Sequence, residues 1–205
     1  MKKEIEEKLR EIKSSFRIRM NGLASKTLRE NGMNYKLNWG ISLPDLRTMA
    51  QNYEPNLELA IALWKEDIRE CKIMATLLAP HDDFPMELAE LWLEQTDNQE
   101  IAESLAFNLL QHLDYASELS FKWLPSDNLF AKIAAYNTLG RLFSQHYILD
   151  NRDINEYIDQ ALVALVDDNI GMRRAAFNSL QKFSLLGEEY EMVVKKALKS
   201  VQMDF

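Results

Sequence analysis

The sequence predicts an all-α protein, built of helical pairs stacked as a right-handed solenoid, and three observations carry that prediction. Only 6 glycines and 5 prolines occur in 205 residues, too few turn formers for a chain of β-hairpins. Apolar residues recur at three- and four-residue spacing, with no two-residue alternation that would mark a strand. Variants of the capping box, an acceptor side chain three residues before a carboxylate, recur at Ser42–Asp45, Asp67–Glu70, Asp97–Glu100 and Asp153–Glu156.

Taken in chain order, residues 1–36 predict a basic amino-terminal helical cap, with ten Lys/Arg against five Asp/Glu. The alternating signs of Lys2-Lys3-Glu4 and Glu6-Glu7-Lys8 read as a solvated helix face. Leu57, Ala60, Ile61 and Trp64 then form one apolar stripe, and Cys71, Met74, Ala75 and Leu78 the next. Leu88, Leu91 and Trp92 follow, then Ala102, Leu105, Ala106, Leu109 and Leu113. After Ser144–Asn151, read as the longest internal break, come Ile158, Ala161, Leu162 and Leu165, and finally Met172, Ala176, Leu180 and Phe183.

Three of these stretches resemble one another: LWKEDIRECKIMATLLA, KWLPSDNLFAKIAAYNTLGRL and ALVDDNIGMRRAAFNSLQKF. In each, an apolar helix ends near Trp64, Trp123 or Leu165, a polar loop follows, and small residues such as Ala75, Ala134, Ala135, Ala175 and Ala176 come after it. The stretch around Trp92 fits the same plan. The spacing suits helical hairpins stacked one on another. No boundary divides the chain, so residues 1–205 are read as one repeat domain, with the pairs running through 37–205. Trp64 and Trp92 belong to apolar stripes and are expected in the core.

Composition excludes several classes. Hydrophobic residues at 47% and charged residues at 27% are incompatible with disorder. No apolar run is long enough to span a bilayer, and the amino terminus lacks the apolar segment of a signal peptide. A lone cysteine, Cys71, forms neither an internal disulfide nor a thiolate cage, and its stripe position marks it as core; a cytoplasmic protein is expected. His81-Asp82-Asp83 lacks a second histidine at helical spacing and reads as a solvated turn, and His112 and His146 stand singly near helix ends. No phosphate loop, dinucleotide fingerprint or nucleophile elbow occurs. No metal, cofactor or membrane partner is expected.

The formal charge is −8. Between Lys72 and Lys122 there is no Lys or Arg, while ten acidic residues occur there. A stretch of that kind repels backbone phosphates, which bind clustered cations.

Leu37-Asn38-Trp39-Gly40-Ile41-Ser42-Leu43-Pro44-Asp45-Leu46-Arg47 resembles the GV-x-(V/I)-P-x-LR opening motif of the AlkD-like DNA alkylation repair family. Leu59-Ala60-Ile61-Ala62-Leu63-Trp64, followed by Arg69-Glu70-Cys71-Lys72-Ile73-Met74-Ala75, resembles its LA-x-x-LW…HE-x-R-x-x-A stretch. The resemblance implies a HEAT/ARM-like repeat solenoid whose second helices line a basic, concave DNA-binding surface. It also implies a glycosylase that excises cationic alkylated purines with aromatic residues and an acid. The family's W-D-x-x-D helix start corresponds to Gln99-Glu100-Ile101-Ala102-Glu103, which puts the catalytic carboxylate on Glu103 and leaves Gln99 in place of an aromatic. The late V-Q-K-A-I-G-W segment corresponds to Met172–Asn178, leaving Asn178 in place of a second tryptophan. Without those rings a cationic base has no cation–π faces to rest on.

Three functions are therefore open. One is a catalytically degenerate family member that binds another protein; the second is a noncatalytic DNA-structure binder. The third is an active glycosylase that uses Glu103. The DNA-binding readings would draw on Arg69, Lys72, Lys132, Arg141, Arg173, Arg174 and Lys182.

Overall fold

The computed structural model describes residues 2–31, 33 and 35–200. Among the described residues there are twelve α-helices, one short 3-10 turn and no strand beyond an isolated bridge between Leu37 and Ile68. The fold is all-helical, as the sequence predicts. None of the described helices is long and apolar enough to cross a membrane. The chain forms two compact units, Met1–Phe84 and Pro85–Phe205.

The first unit contains α1 (Lys2–Arg19), α2 (Gly22–Glu30), α3 (Leu43–Ala50), α4 (Leu57–Trp64) and α5 (Arg69–Leu78). Helix α1 is charged on most positions but buries Ile12 and Phe16 completely and packs against α4, while α5 packs against α3 and α4. Trp64 is 3% exposed at the end of α4. The segment before α3 is held tightly. Gly40 has a φ of +69°, and a Cβ there would lie 2.3 Å from the Asn21 carbonyl oxygen and 2.5 Å from the Ser25 nitrogen. Only glycine combines that left-handed backbone with so close an approach.

The second unit contains α6 (Met86–Glu94), α7 (Gln99–Asn108), α8 (Ala116–Trp123), α9 (Leu129–Ser144), α10 (Asn151–Leu165), α11 (Ile170–Ser184) and α12 (Glu188–Ser200), with the 3-10 turn at Leu110–His112. Trp123 and Leu165 are the last residues of α8 and α10, where the repeat pattern ends its first helices. Helix α9 packs against α7, α8 and α11, and α11 packs against α10 and α12. The second helices α7, α9 and α11 thus stand side by side. Gly140 permits the close approach of α9 to α11, since a Cβ there would lie 3.3 Å from the Ser179 Cα. Trp92 is 1% exposed. Phe143, Tyr157, Phe183 and Tyr190 form an edge-on aromatic cluster with centroids 5.1–5.3 Å apart, and the Tyr157 hydroxyl donates to the Ser179 hydroxyl at 2.8 Å.

Several boundaries differ from the sequence reading. Ser42 caps α3 as expected, accepting from the Asp45 nitrogen at 3.2 Å. Asp97 is not the cap of α7; Asn98 is, accepting from the Ile101 nitrogen at 3.0 Å. Helix α10 begins earlier than expected, capped by Asp150 rather than Asp153. Ile68, not Asp67, occupies the cap position of α5 and supplies no side-chain bond. The longest break lies between Glu30 and Leu43, not at Ser144–Asn151.

Candidate functional site

Charge in the second unit is sorted by helix. The first helices are acidic, with Glu87, Glu90 and Glu94 on α6, Glu118 on α8, and Asp153, Glu156 and Asp159 on α10. Helices α9 and α11 carry Lys132, Arg141, Arg173, Arg174 and Lys182 and no Asp or Glu at all. The cation-free stretch is real in sequence, but its acidic residues lie on α6, α7, α8 and the loops around them, not on α9 or α11.

The candidate cations separate into two groups. Arg69 is 4% exposed; its Nη1 donates to the Ile41 carbonyl at 2.8 Å and to Glu70 Oε1 at 3.0 Å. It holds the segment before α3. Lys72 is half-buried with its ammonium 4.4 Å from the centre of the Trp64 ring. Arg173 Nη1 donates to the carbonyls of Asp167 and Asp168 at 2.6 and 3.0 Å, closing the loop that enters α11. These three have local structural work.

Arg141, Arg174 and Lys182 differ. All three are exposed. Arg174 and Lys182 have no hydrogen-bond or ion-pair partner among the described residues, and Arg141 uses only its Nε, which donates to Gln111 Oε1 at 2.9 Å. That bond leaves both Nη groups open. Gln111 is itself buried; its Oε1 also accepts from Gln145 Nε2 at 3.1 Å, and its Nε2 donates to the Phe107 carbonyl. One amide thus ties the guanidinium of α9 to the end of α7. Lys132 also lacks a partner among the described residues and stands one helical turn before Tyr136 on α9, while Asn137, Arg141 and Ser144 lie further round the helix.

Those side chains open onto a cleft of about 340 Å³, lined by Phe107 from α7, Tyr136, Asn137, Arg141 and Ser144 from α9, and Asn178 and Lys182 from α11. Gly140 and Ser179 also line it, so the close packing of α9 on α11 forms part of its wall. Glu103 stands one helical turn before Phe107, on the same stripe of α7. The structure therefore brings Asn178, Arg141 and Lys182 to one place, with Glu103 beside it.

Glu103 is not presented bare. It accepts from Gln99 Nε2 at 2.7 Å. Gln99 is in turn packed against Gly171 at the start of α11, where a Cβ would lie 2.2 Å from Gln99 Oε1. A neutral amide occupies the space next to the carboxylate, and no aromatic ring comes from Gln99 or Asn178. Phe107 is the aromatic that the sequence reading passes over; it is 37% exposed. The spacing of Glu103-Ser104-Leu105-Ala106-Phe107 is the signal that places it on the exposed stripe.

A model of the DNA alkylation repair enzyme family matches residues 7–175. The chain belongs to that family. A search among curated proteins finds no match. Among solved structures, the chain is similar to a member of a family related to the HEAT-like repeat DNA glycosylases, described as having affinity for branched DNA structures. The two share 14% identity and a TM-score of 0.83, over 94% of this chain and 83% of the other. At that identity the likeness shows the fold, a HEAT-like repeat fold, as the resemblance implies.

Proposed function

We propose that this member of the DNA alkylation repair family binds DNA through the second helices of its carboxyl-terminal unit and does not excise bases. The observation that carries the reading is the set of exposed cations, Arg141, Arg174 and Lys182, each without an ion-pair partner among the described residues, on two adjacent helices free of acidic residues. Arg141 and Lys182 line one cleft, and cations held close together are what phosphate binding requires. The described affinity of the similar structure for branched DNA supports the choice of DNA over a protein partner.

The absence of excision follows from the chemistry at Glu103. A carboxylate can stabilise an oxocarbenium-like sugar, but the departing cationic purine needs aromatic faces as well. Here the two mapped positions are Gln99 and Asn178, and the carboxylate already accepts the Gln99 amide at 2.7 Å. Each missing transition-state interaction worth ~1.4 kcal/mol slows the reaction tenfold.

The test pairs two assays on the native protein. Duplex carrying a cationic methylated purine should be bound at low salt and should release no base. Release that Glu103→Gln abolishes would overturn the noncatalytic reading. Failure to retard any duplex or four-way junction at low salt would overturn the DNA reading and favour a protein partner.

A further inference from the structure

The cleft between α7, α9 and α11 holds more than phosphate ligands. Its volume, about 340 Å³, falls in the ~300–1,000 Å³ range of small-ligand sites. Phe107 exposes more than a third of its surface and lines the cleft, where its ring offers a flat apolar face. Tyr136 lines the cleft and is 1% exposed, yet its hydroxyl has no hydrogen-bond partner among the described residues. Burial holds the phenol far above its usual titration range, so it stays a donor. Asn137 spends its Nδ2 on the Ile133 carbonyl at 2.9 Å, which leaves its Oδ1 as an acceptor. Asn178 has neither group engaged among the described residues.

An exposed ring, a phenol donor, two amides and two cations form a mixed set. A bare phosphate has no use for the ring, and an apolar ligand has no use for the cations. A nucleotide uses all of them: a π face, a hydrogen-bonding edge and a negative charge. We infer that the cleft is a subsite for one unpaired base of a DNA strand, stacked on Phe107, with its flanking phosphates on Arg141 and Lys182. Tyr136, Asn137 and Asn178 then meet the edge of the base. This rests on the DNA-binding reading and adds to it a preference for strands with an unstacked nucleotide. Gln111 is a positioning residue in this scheme, since it holds Arg141 against the end of α7 that carries Phe107.

The experiment uses duplexes with 2-aminopurine either fully paired or as a single unpaired bulge. Native protein should change the fluorescence of the bulged probe and bind it more tightly than the paired one. Phe107→Ala should weaken the bulged complex about tenfold or more, the scale of removing one base–aromatic stack, and abolish the fluorescence change. Binding of paired duplex should weaken less than twofold, and Phe107→Tyr should restore both signals. Equal weakening on both duplexes, or none on either, would overturn the subsite while leaving DNA binding intact. Absence of binding to either duplex would overturn both. Free deoxyadenosine monophosphate is titrated as well. Saturation tighter than that of the bulged strand would mark a mononucleotide pocket and overturn the assignment to a strand.

Discussion

Arg69 and Glu70 form an ion pair at the buried start of α5, with 3.0 Å between Nη1 and Oε1 and side chains 4% and 0% exposed. Around the pair, the Glu70 carboxylate accepts from the Trp39 nitrogen at 3.1 Å and from the Ile41 nitrogen at 3.3 Å. Arg69 returns a bond to the Ile41 carbonyl. Two consecutive residues thus anchor the segment carrying Gly40 through its backbone groups. This explains why motifs resembling those of DNA repair proteins stand at residues 37–47 and 69–75, on elements other than the helices of the candidate cleft: in this chain the two stretches bind each other.

The pair is expected to matter for stability and not for binding. Removing one partner of a buried ion pair leaves the other charge desolvated, a destabilisation of about 3–5 kcal/mol. Glu70→Ala and Arg69→Ala should each lower the unfolding free energy read from urea titration by an amount on that scale, and the double variant should cost less than their sum. Additive effects in the cycle would show that the pair is not coupled.

His146 should be a site of easy stabilisation. Its φ is +62°, and the following Tyr147 nitrogen returns to the Leu142 carbonyl at 3.0 Å, which ends α9 with the left-handed turn that glycine favours. His146→Gly should raise stability by roughly 1 kcal/mol through removal of the Cβ penalty. A drop in the thermal midpoint would show that the imidazole contributes more than the strain costs.

Cys71 should be inert in the folded protein. Burial, with Glu66 adding repulsion, pushes its thiol from 9.0 up to about 12, so little thiolate forms under ordinary conditions. A thiol reagent at pH 8 should label it only after unfolding. The same shift sets the sign of an alkaline effect. Between pH 9 and 12 the unfolded chain releases a proton that the fold retains, so stability is intact below 9 and declines as pH rises toward 12. Tyr115, raised from 10.0 to about 12 mainly by burial, adds to the decline over the upper part of that window. Rapid labelling under native conditions would contradict the buried position.

How much is legible in the sequence depends on the residue. The apolar stripes mark the helices, and Trp64 and Leu165 mark first-helix ends because period and burial agree there, while Trp123 ends α8 half-buried. The true caps lie one or more residues from the acidic candidates because Asp and Asn cap about equally well, and only the register of the buried stripe decides between neighbours. A clearer signal is present: Thr96-Asp97-Asn98, Ser126-Asp127-Asn128 and Asp167-Asp168-Asn169 repeat one pattern, and the asparagine caps the second helix each time. In the first unit Asp67-Ile68 takes that place, and the Arg69 nitrogen donates instead to the Leu37 carbonyl at 3.0 Å. The fates of the cations are not legible. Arg69, Lys72 and Arg173 are taken up by a neighbouring carboxylate, a ring and two carbonyls, and such tertiary partners leave no mark in composition. Arg141, Arg174 and Lys182 look the same in sequence and are open in the fold.

The central claim is that these three side chains meet DNA phosphates, and its most direct test is the salt dependence of binding. For native protein, the logarithm of the association constant should fall linearly with the logarithm of salt concentration. Replacing Arg141, Arg174 and Lys182 together by alanine should reduce that slope by roughly 2 to 3, about one unit for each phosphate no longer neutralised. Lys122→Ala, whose ammonium on α8 is already paired with Glu90, should leave it unchanged. A slope that is the same in native and triple variant would contradict the account.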